Sequence, residues 1–261
     1  MMRALYTAAS GMKAQQLNLD VTSNNLANVN TTGFKSFRTE FQDLHYQMLR
    51  QPGSQVANNI LSPQGTQIGM GVTAIGTPRF FSQGDFQHTE NPYDLAIQGD
   101  GFFRVVMPNG TFAYTRDGSF KTDANGALVT HDGYYVDPNI TIDQNATNVT
   151  IGSDGTVSQT VNGVTSNSGQ IQLVRFVNPV GLESLGKNYF RATQASGTEI
   201  TGTAGTSPGF GALAQGMLEM SNVRVADEMI RMIVSMRAYE ANSKAIQTSD
   251  EMLQIANNAK R

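Results

Sequence analysis

Helix breakers are confined to the middle of this chain. All eight prolines lie between Pro52 and Pro208, and no glycine follows Gly216. The first 51 residues lack proline and contain only Gly11 and Gly33. Inside a helix, proline costs about 3 kcal/mol and glycine about 1 kcal/mol relative to alanine. Both ends are therefore free to form long helices, while the middle is cut into strands and turns. The expected class is α+β: long N- and C-terminal helices forming a coiled-coil pair, with a central antiparallel β-rich domain. The expected parts are an N-terminal helix over 1–33, a linking region with a hairpin-like excursion over 34–70, a β domain over 71–212 and a C-terminal helix over 213–261.

The helical ends carry a seven-residue apolar repeat. Leu218, Val225, Met232, Tyr239, Ile246 and Leu253 recur at that spacing, and Met229, Ile233 and Met236 widen the stripe. Leu5, Met12, Leu19 and Leu26 repeat it at the N-terminus. Such a repeat describes a seam that follows a partner helix. Asp227 with Arg231 and Glu240 with Lys244 have the spacing of i,i+4 ion pairs. Isolated helices are marginal in water, so the ends are expected to need each other and other subunits. Asn24, Asn25, Asn28 and Asn30 crowd four amides into seven residues. Two readings stand: a fraying helix end capped by Gly33, or buried amides that fix the register of packed helices.

The middle, Gly65 to Gly216, holds 23 of the 26 glycines. Short apolar or alternating runs at 102–107, 127–130, 171–177 and 188–191 are separated by Asn-Gly and Asp-Gly turns. That pattern predicts antiparallel hairpins. Phe34 to Met48 fits helical spacing and an extended strand equally. Pro52 to Gly65 has two proline-marked turns around a polar run, which reads as an extended excursion.

Composition excludes several functions. Lys and Arg number 18 against 21 Asp and Glu, so there is no basic excess for nucleic acid. With no cysteine there is no disulfide framework or thiolate metal site. His45, His88 and His131 are scattered without a ligand pattern, and no cofactor, metal or catalytic residue is expected. No apolar run reaches the length of a membrane helix, and no cleaved secretory signal is visible. A secreted glycan-binding protein is the contrasting possibility, with Phe80, Phe81, Tyr134 and Tyr135 as candidate aromatics.

The run Asn24-Asn25-Leu26-Ala27-Asn28-Val29-Asn30-Thr31-Thr32-Gly33-Phe34-Lys35 resembles the N-terminal signature of the flagellar rod and hook protein family. Ser221-Asn222-Val223 and Arg237-Ala238-Tyr239-Glu240-Ala241-Asn242-Ser243-Lys244-Ala245-Ile246 resemble its C-terminal signature. Gln98 to Phe103, Tyr114 to Phe120 and Gly181 to Ser184 are also family-like. Arg50-Gln51-Pro52-Gly53 and the following residues resemble an insertion of the rod branch that the hook branch typically lacks. The resemblance implies a helical homo-oligomeric tube, with terminal helices inside and the β domain outside. It also implies a basal-body location spanning the periplasm, and export through the flagellar apparatus without a cleaved signal. Implied partners are further copies of the chain, proximal rod proteins, hook protein, the P and L rings, the export apparatus and a rod cap. Nucleic acid and direct membrane insertion are not implied. The expected interface residues are Leu5, Met12, Leu19, Asn24, Asn25, Leu26, Asn28, Asn30, Gly33, Phe34, Arg50, Pro52, Pro63, Leu218, Val225, Met229, Met232, Met236, Arg237, Tyr239, Asn242, Lys244, Ile246 and Leu253.

Overall fold

The computed structural model describes residues 2–53, 55–57, 60–61 and 63–258. Ser54, Asn58, Asn59 and Ser62, part of the expected excursion, lie outside the described residues. The chain divides into two compact units. One takes the described parts of Met1–Leu26, Phe37–Pro78 and Arg224–Arg261; the other takes Ala27–Ser36 and Arg79–Val223.

In the helical unit, α1 spans Met2–Ala27 and α2 spans Val225–Asn258. The 34 residues of α2 extend about 51 Å. Asp227 and Glu228 sit in its first turn, where carboxylates favour the positive end of the helix dipole. α1 ends at Ala27, so Gly33 is not its cap. Leu218 is not on a helix at all: Met217–Glu219 is a strand paired with Phe86–His88 in the other unit. Strand pairing wins there, and the helix begins only after Arg224. The ion pairs also differ from the expected spacing. Arg231 lies 3.0 Å from Glu228 and Arg237 lies 3.1 Å from Glu240, both i,i+3.

Residues 34–48 resolve as extended chain. β1 (Glu40–Asp43), β2 (Tyr46–Arg50), β3 (Gln55–Ala57), β4 (Ile60–Leu61), β5 (Thr66–Gly69) and β6 (Val72–Gly76) form nested antiparallel pairs. β1 pairs β6, β2 pairs β5 and β3 pairs β4, which makes one long two-stranded ribbon. Glu40 to Arg50 is exposed throughout.

The second unit is antiparallel β. Its nine-stranded sheet runs Lys121–Thr122, Leu128–Val129, Tyr135–Val136, Phe102–Val106, Phe112–Thr115, Tyr189–Arg191 and Glu183–Gly186. Gln172–Arg175 joins Phe102–Val106 and carries Ile200–Thr203 on its other side. Ala146–Ile151, Thr156–Val161 and Val164–Gln170 make a separate three-stranded sheet. Asn162 and Gly163, at φ of 52° and 80°, turn its second hairpin with the positive φ that such two-residue loops demand. Adjacent residues on a strand face opposite ways. Phe103 accordingly enters the main core with Leu95, Ile97, Phe120 and Leu173, while Phe102 enters a second cluster with Tyr114, Phe176 and Phe190. No described helix is long and apolar enough to cross a membrane.

Candidate assembly interface

Within the helical unit, α1 and α2 meet on a polar face. The Asn18 Nδ2 donates to Ser235 Oγ at 2.7 Å. Asn25, 1% exposed, donates to the Phe37 carbonyl at 2.8 Å and accepts from the Phe37 N–H at 2.9 Å. Its Nδ2 also lies 3.4 Å from Glu228 Oε2. A Cβ on Gly11 would sit 2.9 Å from Asn242 Nδ2, so the chain approaches closely there. Ala8, Ala14 and Thr22 of α1 and Glu228, Ser235 and Ser249 of α2 are buried. Of the four crowded amides, only Asn25 is buried. Asn24 and Asn30 are exposed, and half-buried Asn28 accepts from Thr31 Oγ1. Asn18, outside that crowd, was missed by sequence reasoning; its hydrogen bond to Ser235 is what marks it.

The apolar repeat takes other positions. Leu5, Met12, Leu19, Leu26, Met232, Ile246 and Leu253 are half-buried, and Asn242 is half-buried against Gly11. Met229 (51%), Met236 (50%) and Ile233 (57%) are exposed, as are Val225, Ile230, Val234 and Tyr239. Arg237 and Lys244 are exposed too. On the ribbon, Phe41, Leu44, Tyr46, Met48, Leu49 and Ile75 are exposed large apolar residues. Arg50, Pro52 and Pro63 are exposed with them.

Gly33 and Phe34 are buried inside the β unit of the same chain, so neither offers a surface to a neighbour. The Gly33 N–H donates to the Glu219 carbonyl at 2.8 Å. Gly33 has φ +67°, and a Cβ there would lie 2.7 Å from the Asp117 nitrogen. Beside it stands a buried charge cluster. Lys35 Nζ donates to Glu219 Oε1 at 2.6 Å and to the Ser82 carbonyl at 2.7 Å. Arg116 lies 3.3 Å from Glu219 Oε2 and donates to the Gly99 carbonyl at 2.8 Å. The Gly84 N–H adds a third donor to Glu219. Burial pushes the Lys35 ammonium below its ordinary value; Glu219 opposes that, and Arg116 adds to it. Burial lowers Arg116 in the same way, with Glu219 opposing. Asn222 accepts from the Ser36 N–H at 2.7 Å and donates to the Phe80 carbonyl at 2.9 Å. The segments Gly33–Ser36 and Glu219–Asn222, at the edges of the two terminal signatures, thus meet. Lys35, Arg116 and Asn222 were visible in the sequence only as members of signature runs, and Glu219 was not singled out at all, because nothing local pairs residues so far apart.

The aromatics weighed for glycan binding are divided. Phe81 packs on Phe102 at 5.4 Å and Tyr134 on Tyr189 at 5.3 Å, while Phe80 and Tyr135 are exposed. Among the described residues no group of three or more His, Asp or Glu is placed to hold a metal.

Three family models match the chain. They describe a flagella basal body rod protein (residues 5–35), the flagellar hook protein FlgE/F/G D1 domain (96–159) and the flagellar basal body rod FlgEFG protein C-terminal region (214–259). The flagellar basal-body rod protein FlgG of Borreliella burgdorferi is 54% identical, with all of both chains covered. The chain belongs to the flagellar basal-body rod protein family. FlgG of Caulobacter vibrioides is 50% identical over 97% of each chain, and that of Bacillus subtilis 44% over all of both. The Helicobacter pylori hook protein FlgE2, a solved structure, covers 71% of this chain and 43% of its own. At 13% identity and a TM-score of 0.23 it carries no argument about the arrangement. The chain is a structural subunit of the basal-body rod, of the distal-rod kind that its FlgG relatives represent.

Proposed function

We propose that this rod subunit assembles with copies of itself into a stiff hollow helical tube that carries torque towards the hook and encloses the export channel. The observation that carries this reading is the apolar face of α2. Met229, Ile230, Ile233, Val234 and Met236 are exposed although α2 already has a partner helix. Burying one large apolar side chain contributes about 1.5–3 kcal/mol, so a face of five leaves a large favourable term unused in one chain. An exposed apolar stripe of this extent marks an interaction surface. On this reading the coiled-coil partner that the apolar repeat implies is a helix of a neighbouring copy, with Val225, Tyr239, Arg237 and Lys244 along the same contact.

The ribbon supports the same reading. An isolated two-stranded ribbon is marginal in water, and this one exposes Phe41, Leu44, Tyr46, Met48, Leu49 and Ile75. It stiffens the tube by lying on adjacent copies, with Arg50, Pro52 and Pro63 at that contact. Proximal rod proteins and the hook protein adjoin the tube ends, the P and L rings surround it, and the export apparatus and a rod cap serve its growth. Electron microscopy of the purified full chain with Ile233→Asp or Met236→Asp tests the assembly. Loss of ordered polymers from both variants, with the β unit still folded, is expected; normal polymers would refute the role of α2. Deleting residues 52–65 is expected to give bent or fragile polymers, and straight rigid ones would refute the role of the ribbon.

A further inference from the structure

The α1–α2 contacts repeat with a constant step. Gly11 meets Asn242, Asn18 meets Ser235 and Asn25 meets Glu228. The α1 positions rise by seven while the α2 positions fall by seven, as antiparallel helices in one fixed register require. Ser249, the next α2 position in this series, is also buried. We propose that this polar ladder is a register lock: it selects the chain's own α1 as the partner of this face of α2, in one alignment only.

The physical reason is the difference between apolar and polar seams. Apolar burial is non-directional, so a seven-residue apolar repeat also accepts an alignment slid by one heptad, about 10 Å. A polar seam residue resists such slides because its partner must be in place. Here size adds to polarity. The Asn242 amide fits where α1 has a glycine, and even a single Cβ at position 11 would come within 2.9 Å of it. Sliding α2 one heptad either way sets Asn242 against Asn18 or Ala4, both of which carry that Cβ. One slide also carries Glu228, which is 4% exposed, past the end of α1. The other brings it opposite Asn18 and leaves Asn25 without it. In the first slide the buried carboxylate loses the amide donor that faces it, which is costly; in the second it is Asn25 that loses its carboxylate partner. The ladder contributes little apolar burial; its yield is alignment.

The test uses disulfide reporters in the full chain, which has no cysteine of its own. Ala4→Cys with Ser249→Cys reports the observed register, and Ala4→Cys with Ala256→Cys reports the slid one, and neither pair replaces Gly11, Asn18, Asn25, Glu228, Ser235 or Asn242. Oxidised at high dilution, the first pair is expected to close within one chain and the second to remain at trace level. Both reporters are then placed in a chain whose lock is made apolar by Asn18→Leu and Ser235→Leu. Helix content by circular dichroism is expected to persist, while closure of the slid pair rises roughly tenfold, equivalent to about 1.4 kcal/mol of lost register preference. Four results would overturn the lock. They are equal closure of both pairs in the parent chain, failure of the first pair, products of twice the chain mass, and a leucine variant whose slid pair stays at trace level. Because the readout is closure within one chain, it is separate from polymer formation.

Discussion

Glu219 balances two buried cations. Glu219→Gln keeps the shape and several hydrogen bonds but takes from Lys35 and Arg116 the carboxylate that both of them contact. Removing one partner from a buried pair costs about 3–5 kcal/mol, and urea unfolding of the β unit is expected to show a loss of that size. Lys35→Met should cost less, since Glu219 and Arg116 then balance. The pH dependence has a definite sign. The folded-state value of Lys35 is depressed by burial, so the unfolded state binds more protons between that value and the ordinary lysine value. Stability of the parent chain relative to Lys35→Met therefore rises with pH up to the ordinary lysine value and is lost as pH falls through the depressed one. A relative fall on raising the pH would contradict this. Gly33→Ala is expected to cost at least about 1 kcal/mol from its positive φ alone. The close approach of the Asp117 nitrogen adds to that. Asn24→Leu, at an exposed site, should leave the β unit unchanged by the same assay. These residues show the limit of sequence reading. The signature run was recognisable as a motif, but Gly33 looked like a helix cap until Asp117 and Glu219 were seen beside it.

At the scale of elements, the breaker distribution was enough to place α1, α2 and the β unit between them. The Asn-Gly and Asp-Gly turns were equally legible, since a positive φ is a local demand. What the apolar repeat did not reveal is which partner it serves. Leu5, Met12, Leu19 and Leu26 lie one residue along from Ala4, Gly11, Asn18 and Asn25, and it is the latter stripe whose Gly11, Asn18 and Asn25 meet α2. Leu218 kept the seven-residue phase by coincidence, because strand pairing to Gln87 fixes it instead. The ribbon was legible as an excursion, while its helix-or-strand ambiguity at Phe34 to Met48 was settled by cross-strand pairs that no local window contains. Tyr46→Ser together with Leu49→Ser should leave the isolated chain as stable as before, because these side chains are already in water. The same pair should lower the temperature at which polymers dissociate, measured by light scattering. An unchanged dissociation temperature would mean that this part of the ribbon makes no contact between copies.

Across the whole molecule, polar and apolar surfaces divide the labour. The polar stripe binds α1 to α2 within a chain, the charge cluster fixes the signature segment within the β unit, and in the proposed assembly the exposed apolar residues of α2 and the ribbon are left for other copies. The low charge content, 15% of residues, fits a chain with much of its surface meant for neighbours rather than water. The most direct measurement is helical reconstruction by electron microscopy of polymers grown from the purified full chain. The polymer is expected to be a hollow tube in which Met229, Ile233 and Met236 of one copy are covered by helices of the next. A tube in which these three side chains face the lumen or solvent, or a chain that stays monomeric under all assembly conditions, would contradict this.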